Sequence, residues 1–285
     1  MKQPIYILFS GILLLNFFSC SEDEAVGYVD YAPQIAVEGW IENGAPASVL
    51  LSWTASFNHE LDTTYLLQHV IKSAKVSVSD GEQTEVLTLG ADNRYLPPYI
   101  YYGNSLKGET GKSYSLKIEY NDGVLSAETF IPEPVPLDSC WFVKESPADT
   151  TGYVHLKFRN TSDVYYQVAT KVNAKETVFT PCLYGNFPAN QYKKDETVSM
   201  QINKGPILYP KMQFDTYFKA GDTIELKFRT QSMECYDFWI SWQNEVLNAQ
   251  NPIFPANTNL KSNIKGGIGS WCGYGTSNYR IETNF

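Results

Sequence analysis

Histidine is scarce in this chain: His59, His69 and His155 are the only 3 among 285 residues, scattered without triad or metal-ligand spacing. Neither H-E-x-x-H nor G-x-S-x-G occurs, so two common signatures of metal-dependent and serine hydrolysis are missing. Positive charge is also short, with 22 Lys and Arg against 31 Asp and Glu and a formal net charge of -9. Without a basic patch, nucleic acid is excluded as an expected partner. None of the cysteines belongs to a C-x-x-C pair or lies beside a histidine, which argues against zinc. Gly108-Glu109-Thr110-Gly111-Lys112-Ser113 has the ending of a phosphate-binding loop, but Leu106 stands where the first glycine is required. A strand pattern follows where a helix N-terminus should face the phosphates. Two carboxylates from distant positions could still meet in space, but nothing in the sequence selects a pair. The expectation is a binding protein with no catalytic residues, metal or cofactor.

No apolar run reaches the roughly 20 residues of a membrane-spanning helix. A shorter run opens the chain. Lys2 precedes an apolar stretch from Ile5 to Leu15, and Asn16-Phe17-Phe18-Ser19-Cys20 follows. This is the layout of a secretory signal peptide over residues 1–19. Ser19-Cys20 resembles a lipobox, with Phe17 and Phe18 in place of the more usual Leu and Ala or Ser. Cleavage before Cys20 would allow its acylation, and two or more acyl chains anchor a protein stably to a lipid membrane. Ser21-Glu22-Asp23-Glu24 is an acidic block similar to the surface-export signal of Bacteroidetes lipoproteins. Residues 20–32 therefore read as a lipidated tether, and the expected location is the outer membrane, facing the extracellular side. An exported chain meets an oxidising compartment. Cys140, Cys182, Cys235 and Cys272 are candidates for two disulfides, with all three pairings open.

Beyond the tether the dominant pattern is β. Ile35–Trp40, Ser48–Trp53, Lys75–Ser79, Thr84–Leu89, Ser113–Tyr120 and Val124–Ile131 carry strand composition, with turns at Asp80-Gly81 and Asn121-Asp122-Gly123. These segments predict an immunoglobulin-like β-sandwich over residues 33–132. Pro132, Pro134 and Pro136 then mark an extended linker. Residues 137–285 read as a second β-rich domain, in which Val154, Leu156 and Phe158, and later Ile224, Leu226 and Phe228, point inward at period two. One segment changes period. Ser232 is a capping residue, Glu234 suits a first turn and Asn251-Pro252 a stop, predicting an amphipathic helix over 233–250. Its apolar face would hold Tyr236, Trp239, Ile240, Val246 and Leu247. The fold class expected is mainly β, with two antiparallel sandwich-like domains and one helix in the second.

Two aromatic segments are candidate contact sites for a ligand or partner. Tyr99, Tyr101 and Tyr102 follow Leu96-Pro97-Pro98, and Tyr184 and Phe187 belong to the segment Phe179–Pro188. Tyrosine presents a flat apolar face together with a hydroxyl. The competing expectation is that Tyr99 and Tyr101 fill one sheet face.

Near the end of the chain, Ser262-Asn263-Ile264-Lys265-Gly266-Gly267-Ile268-Gly269-Ser270-Trp271-Cys272-Gly273-Tyr274 resembles the S-N-I-x-G-G-L-G-x-F-x-G-Y segment of the DUF4249 family of Bacteroidetes lipoproteins. Pro33–Ile41 resembles that family's opening strand, Ala74–Gly81 its hairpin, Gly111–Leu116 its G-x-x-Y-x-L strand and Ile131–Ser139 its interdomain passage. Trp271 replaces the usual Phe, and Cys272 lies outside the general pattern. The resemblance implies no catalytic or ligand residue. It implies a surface lipoprotein that accompanies a TonB-dependent outer-membrane transporter in nutrient uptake, its ligand unidentified. The alternative is a surface adhesin or glycan-binding module with no transporter partner. The segment's glycines have a local explanation, since Gly266, Gly267 and Gly269 permit positive φ or close backbone packing.

Overall fold

A computed structural model describes residues 32–55, 63–161, 163–206, 216–248 and 260–283. The expected signal peptide, Cys20 and all of the tether before Ala32 lie outside the described residues, as do Asn251 and Pro252. The first half of the chain supplies β1 (Ile35–Glu42), β2 (Pro46–Trp53), α1 (Thr63–His69), β3 (Lys75–Ser79), β4 (Thr84–Val86), β5 (Thr88–Ala91), β6 (Tyr99–Lys107), β7 (Ser113–Tyr120) and β8 (Gly123–Phe130). The second half supplies β9 (Leu137–Lys144), β10 (Thr151–Arg159), β11 (Tyr165–Val172), β12 (Thr180–Pro188), β13 (Thr197–Ile202), β14 (Phe218–Lys219), β15 (Thr223–Gln231), α2 (Met233–Asn248) and β16 (Ile268–Glu282). The protein is mainly β, as its alternation predicts.

One eight-stranded sheet, in the order β12-β11-β15-β16-β1-β2-β6-β5, runs through both halves. Two smaller sheets cover one of its faces. The β4-β3-β7-β8 sheet packs on the end formed by the first half, and β13-β10-β14 with β9 packs on the end formed by the second. The first core joins Val37, Ile41 and Val49 to Val76, Leu116 and Ile118 around Trp271. The second is richer in rings: Tyr166 and Phe228 stack 5.2 Å apart, and Phe158 lies 4.8 Å from Phe228. Removing such side chains from water stabilises by about 1.5–3 kcal/mol each.

The expected boundary at Pro132–Pro136 separates the two cores but not the chain. Residues Pro33–Phe285 form one compact unit, because β16 returns to the first half and pairs in parallel with β1, aligning Val37 with Gly269 and Glu42 with Tyr274. The two sandwich-like cores thus share one sheet, which among the described strands contains one parallel pair. The physical reason lies in β16. Its first residues contribute Trp271 to the first core, and its last pair with β15, from Thr223 opposite Glu282 to Thr230 opposite Gly275.

The proline linker has no regular secondary structure, and it is pinned. Thr230 donates its hydroxyl to the Glu133 carbonyl at 2.8 Å, Ser277 to that of Val135 at 3.2 Å, and the Leu137 N–H reaches the Tyr279 hydroxyl at 2.6 Å. A β-carbon at Gly275 would collide with the Pro132 carbonyl, so glycine lets the linker lie directly on the shared strand.

Helix α2 begins where expected, with the Ser232 hydroxyl accepting the Cys235 N–H at 3.4 Å. Its buried stripe differs from the predicted one. Cys235, Phe238, Trp239, Gln243 and Val246 are buried, while Tyr236, Ile240 and Leu247 are only half-buried. Hydropathy could not include Gln243, whose side chain is buried because it accepts the Tyr184 backbone N–H at 2.7 Å. The segment at Gly108–Ser113 is a turn into β7, with Gly111 at φ 78, and not the head of a helix. Asn160 has a structural part. Asn160 is buried and donates its amide to the carbonyls of Ala189, Tyr192 and Lys193.

Candidate functional site

The large sheet's second face, opposite both cores, collects charge and aromatic rings. β1 offers Glu38, Trp40 and Glu42 on this face, because Val37, Gly39 and Ile41 take the other. β15 offers Lys227 and Arg229 by the same alternation. Glu42 accepts from Lys227 Nζ and from Arg229 Nη2, each at 2.6 Å. Arg229 Nη1 donates to Gln167 at 2.8 Å, and Gln167 passes its own amide hydrogen to Asn186 at 3.1 Å. The guanidinium also lies 4.5 Å from the centre of the Tyr274 ring.

Burial alone would raise the Glu42 carboxyl, but Arg229 and Lys227 outweigh it and hold it below its ordinary range. The Lys227 ammonium moves the opposite way from what an ion pair would suggest. Burial and then Arg229 push it down against the pull of Glu42. One carboxylate shared by two cations explains the conflict, and the Glu42 direction governs because Arg229 cannot shed its proton. Nearby Glu38 is open to solvent, yet enough protein surrounds it for desolvation to raise its carboxyl, with Arg229 opposing. The network is fully engaged at Glu42, so it supplies a lock between the halves.

Both candidate aromatic segments approach this face. The Thr177 hydroxyl donates to the Arg94 carbonyl at 2.7 Å, joining the stretch before Phe179 to the stretch before Tyr99. Tyr95 comes within 6.1 Å of Trp40, ring to ring, and Lys227 Nζ is 4.7 Å from the Phe179 ring.

The individual residues divide. Tyr101 is buried in the first core, where its hydroxyl donates to the Ile71 carbonyl at 3.0 Å and accepts from the Ala74 N–H at 3.1 Å. Phe187 is buried in the second, 5.2 Å from Tyr166. Neither can meet a ligand from solvent, and both are corrected to core residues. Alternation already allowed this for Tyr101, whose neighbour Tyr102 faces outward, whereas Phe187 lies between buried Asn186 and half-buried Pro188. Tyr99 is half-buried beneath the Lys72 ammonium, 3.9 Å from its ring centre. Tyr102 is 39% exposed and Tyr184 69% exposed, the most open large apolar residue among those described. Tyr184 also has φ 57, a left-handed conformation that costs a non-glycine residue about 1–2 kcal/mol, held by Gln243. Sequence reasoning missed Glu42, Lys227, Arg229, Gln167 and Asn186. On a strand they read as outward polar positions, and only Tyr274 and the segments crossing above reveal their burial.

None of the four candidate disulfide cysteines is bonded to another in this structure. Cys140 lies on β9 and Cys182 on β12, in facing sheets, where Cys182 contacts Thr170 at 3.5 Å and burial pushes its thiol up to about 12. Two bridges are therefore not found; only Cys235 and Cys272 share a cluster. Among the described residues no group of three or more His, Cys, Asp or Glu could hold a metal. Two open depressions lie away from this face, one at Pro33, Trp53 and Gly266–Gly267, the other reaching Gln68 and His69.

These features define a mainly β protein with a shared central sheet and a charged, aromatic outer face. The chain belongs to the family described as Domain of unknown function (DUF4249), whose model matches residues 22–280. No curated protein matches it. The glycine-rich segment that carries the resemblance is a structural plug. Asn263 brackets Trp271, donating to its carbonyl and accepting its N–H, both at 2.8 Å. The buried indole N–H donates to the Tyr114 carbonyl at 2.9 Å. Gly266 and Gly269 adopt φ 86 and φ 123, and a β-carbon at Gly269 would strike the Val37 carbonyl.

Proposed function

We propose that this chain is a surface-exposed outer-membrane lipoprotein that captures a ligand for, or docks onto, a TonB-dependent transporter in nutrient uptake. Acylation of Cys20 would hold the folded body near the membrane on a short tether. That confinement raises the effective concentration at a neighbouring transporter, so modest contacts suffice. The supporting observation is the meeting of two aromatic segments on one face, tied by Thr177 and Arg94. Tyr184 adds an exposed ring kept in a strained backbone conformation, the kind of outlier that accumulates at binding sites.

Copurification from detergent-solubilised membranes tests the reading. A transporter recovered with the wild-type chain, and lost with Tyr184→Ala, is the expected result. Recovery of the chain alone refutes the partnership. Mass spectrometry of the native N-terminus tests the anchor independently, and an unmodified Cys20 refutes it.

A further inference from the structure

Helix α2 meets the large sheet through a pair of sulfurs. Cys235, the third residue of the helix, and Cys272, on β16, are both buried in one small cluster with Tyr274. Two contacts fix where the Cys235 sulfur lies. It is 3.7 Å from the carbonyl oxygen of Trp271, and 3.9 Å from the Thr129 hydroxyl. That hydroxyl in turn accepts the Gly273 N–H at 2.7 Å. The Cys235 sulfur thus lies against the carbonyl that precedes Cys272, and against the Thr129 hydroxyl that holds the N–H following it.

We propose that Cys235 and Cys272 are joined by a disulfide bond that ties α2 to the shared strand. This pairing goes beyond the transporter reading and does not depend on it.

Because both sulfurs are buried, exchange takes place while α2 is undocked. One of the two thiolates displaces a thiolate from a small-molecule or protein disulfide, forming a mixed disulfide. The other thiol gives up its proton and attacks the protein sulfur of that mixed disulfide, releasing the second thiol. The protein loses two protons and two electrons, and the oxidant becomes two thiols.

The full chain, reduced and unfolded, is refolded in mixed oxidised and reduced glutathione. Remaining thiols are alkylated under denaturing conditions, and the digest is mapped by mass spectrometry. The expected result is a peptide pair joined through Cys235 and Cys272, with Cys140 and Cys182 alkylated. Any other state of the first two sulfurs, whether alkylated, joined to glutathione or joined to Cys140 or Cys182, overturns the proposal. In a second measurement the oxidised wild type melts about 5–10 °C above its reduced form, and Cys272→Ala shows no such difference. Equal wild-type midpoints overturn the claim that the bond ties the helix down.

Discussion

The two sandwiches are built from the same materials and solve different problems. In the first, the central plug is Trp271, which with Ile264 comes from more than a hundred positions beyond the rest of its core. In the second, Phe158, Tyr166, Phe187 and Phe228 come from four strands that lie between Thr151 and Gln231. The first half is therefore incomplete until the chain's end arrives, whereas the second has its ring cluster from its own strands. The sheet they share makes the difference tolerable. β16 closes the first core with its early residues and extends the second with its late ones, while Glu42 reaches across to Lys227 and Arg229 on the other face.

The sharpest way to break that dependence is Gly269→Ala. A side chain at φ 123 against the Val37 carbonyl should disrupt the β1–β16 pairing and cost about 5 kcal/mol or prevent folding. Hydrogen exchange should show protection lost in β3 and β7 before β10, β11 and β15; equal losses would mean that the second sandwich depends on the first just as strongly. Glu42→Gln strikes the lock itself. Leaving two cations short of their carboxylate should cost about 3–4 kcal/mol in urea unfolding, and an unchanged midpoint would show that the lock adds nothing.

Acid titration sharpens the same point. The Glu42 carboxyl is lowered in the folded state, so the stability it contributes is complete above the ordinary glutamate range. That contribution is lost as pH falls through the lowered value. The gap between wild type and Glu42→Gln should narrow on acidification, and a gap that widens would contradict this sign. Ser232→Ala removes the cap of α2 and should cost about 1 kcal/mol, read as a small drop in melting temperature with the sandwiches otherwise intact. Tyr184→Gly should have the smallest effect on stability, neutral or a gain of up to about 1 kcal/mol from relieved strain, while partner binding is lost. A Tyr184→Gly protein that binds normally would remove this ring from the candidate face.

The legible parts of the fold are those where neighbouring residues decide the outcome. Val154, Leu156 and Phe158 alternate with His155, Lys157 and Arg159, and the strand buries the first set. The Ser232 cap likewise acts within a single turn of chain. At the candidate face, Tyr102 and Tyr184 are exposed as their types suggested, but the same types at Tyr101 and Phe187 are core residues. Composition could not separate them, because a strand places adjacent residues on opposite faces and sequence alone does not say which face is covered.

The amino-acid order by itself determined a mainly β protein of this family, a capped helix after β15 and glycines where the chain makes close approaches. Only the tertiary structure decided that β16 joins two sandwiches, that Glu42 faces Arg229 and that Cys235 faces Cys272. Periodicity and capping act over a few residues, whereas these partnerships depend on pairings between strands far apart along the chain, which local preference does not encode.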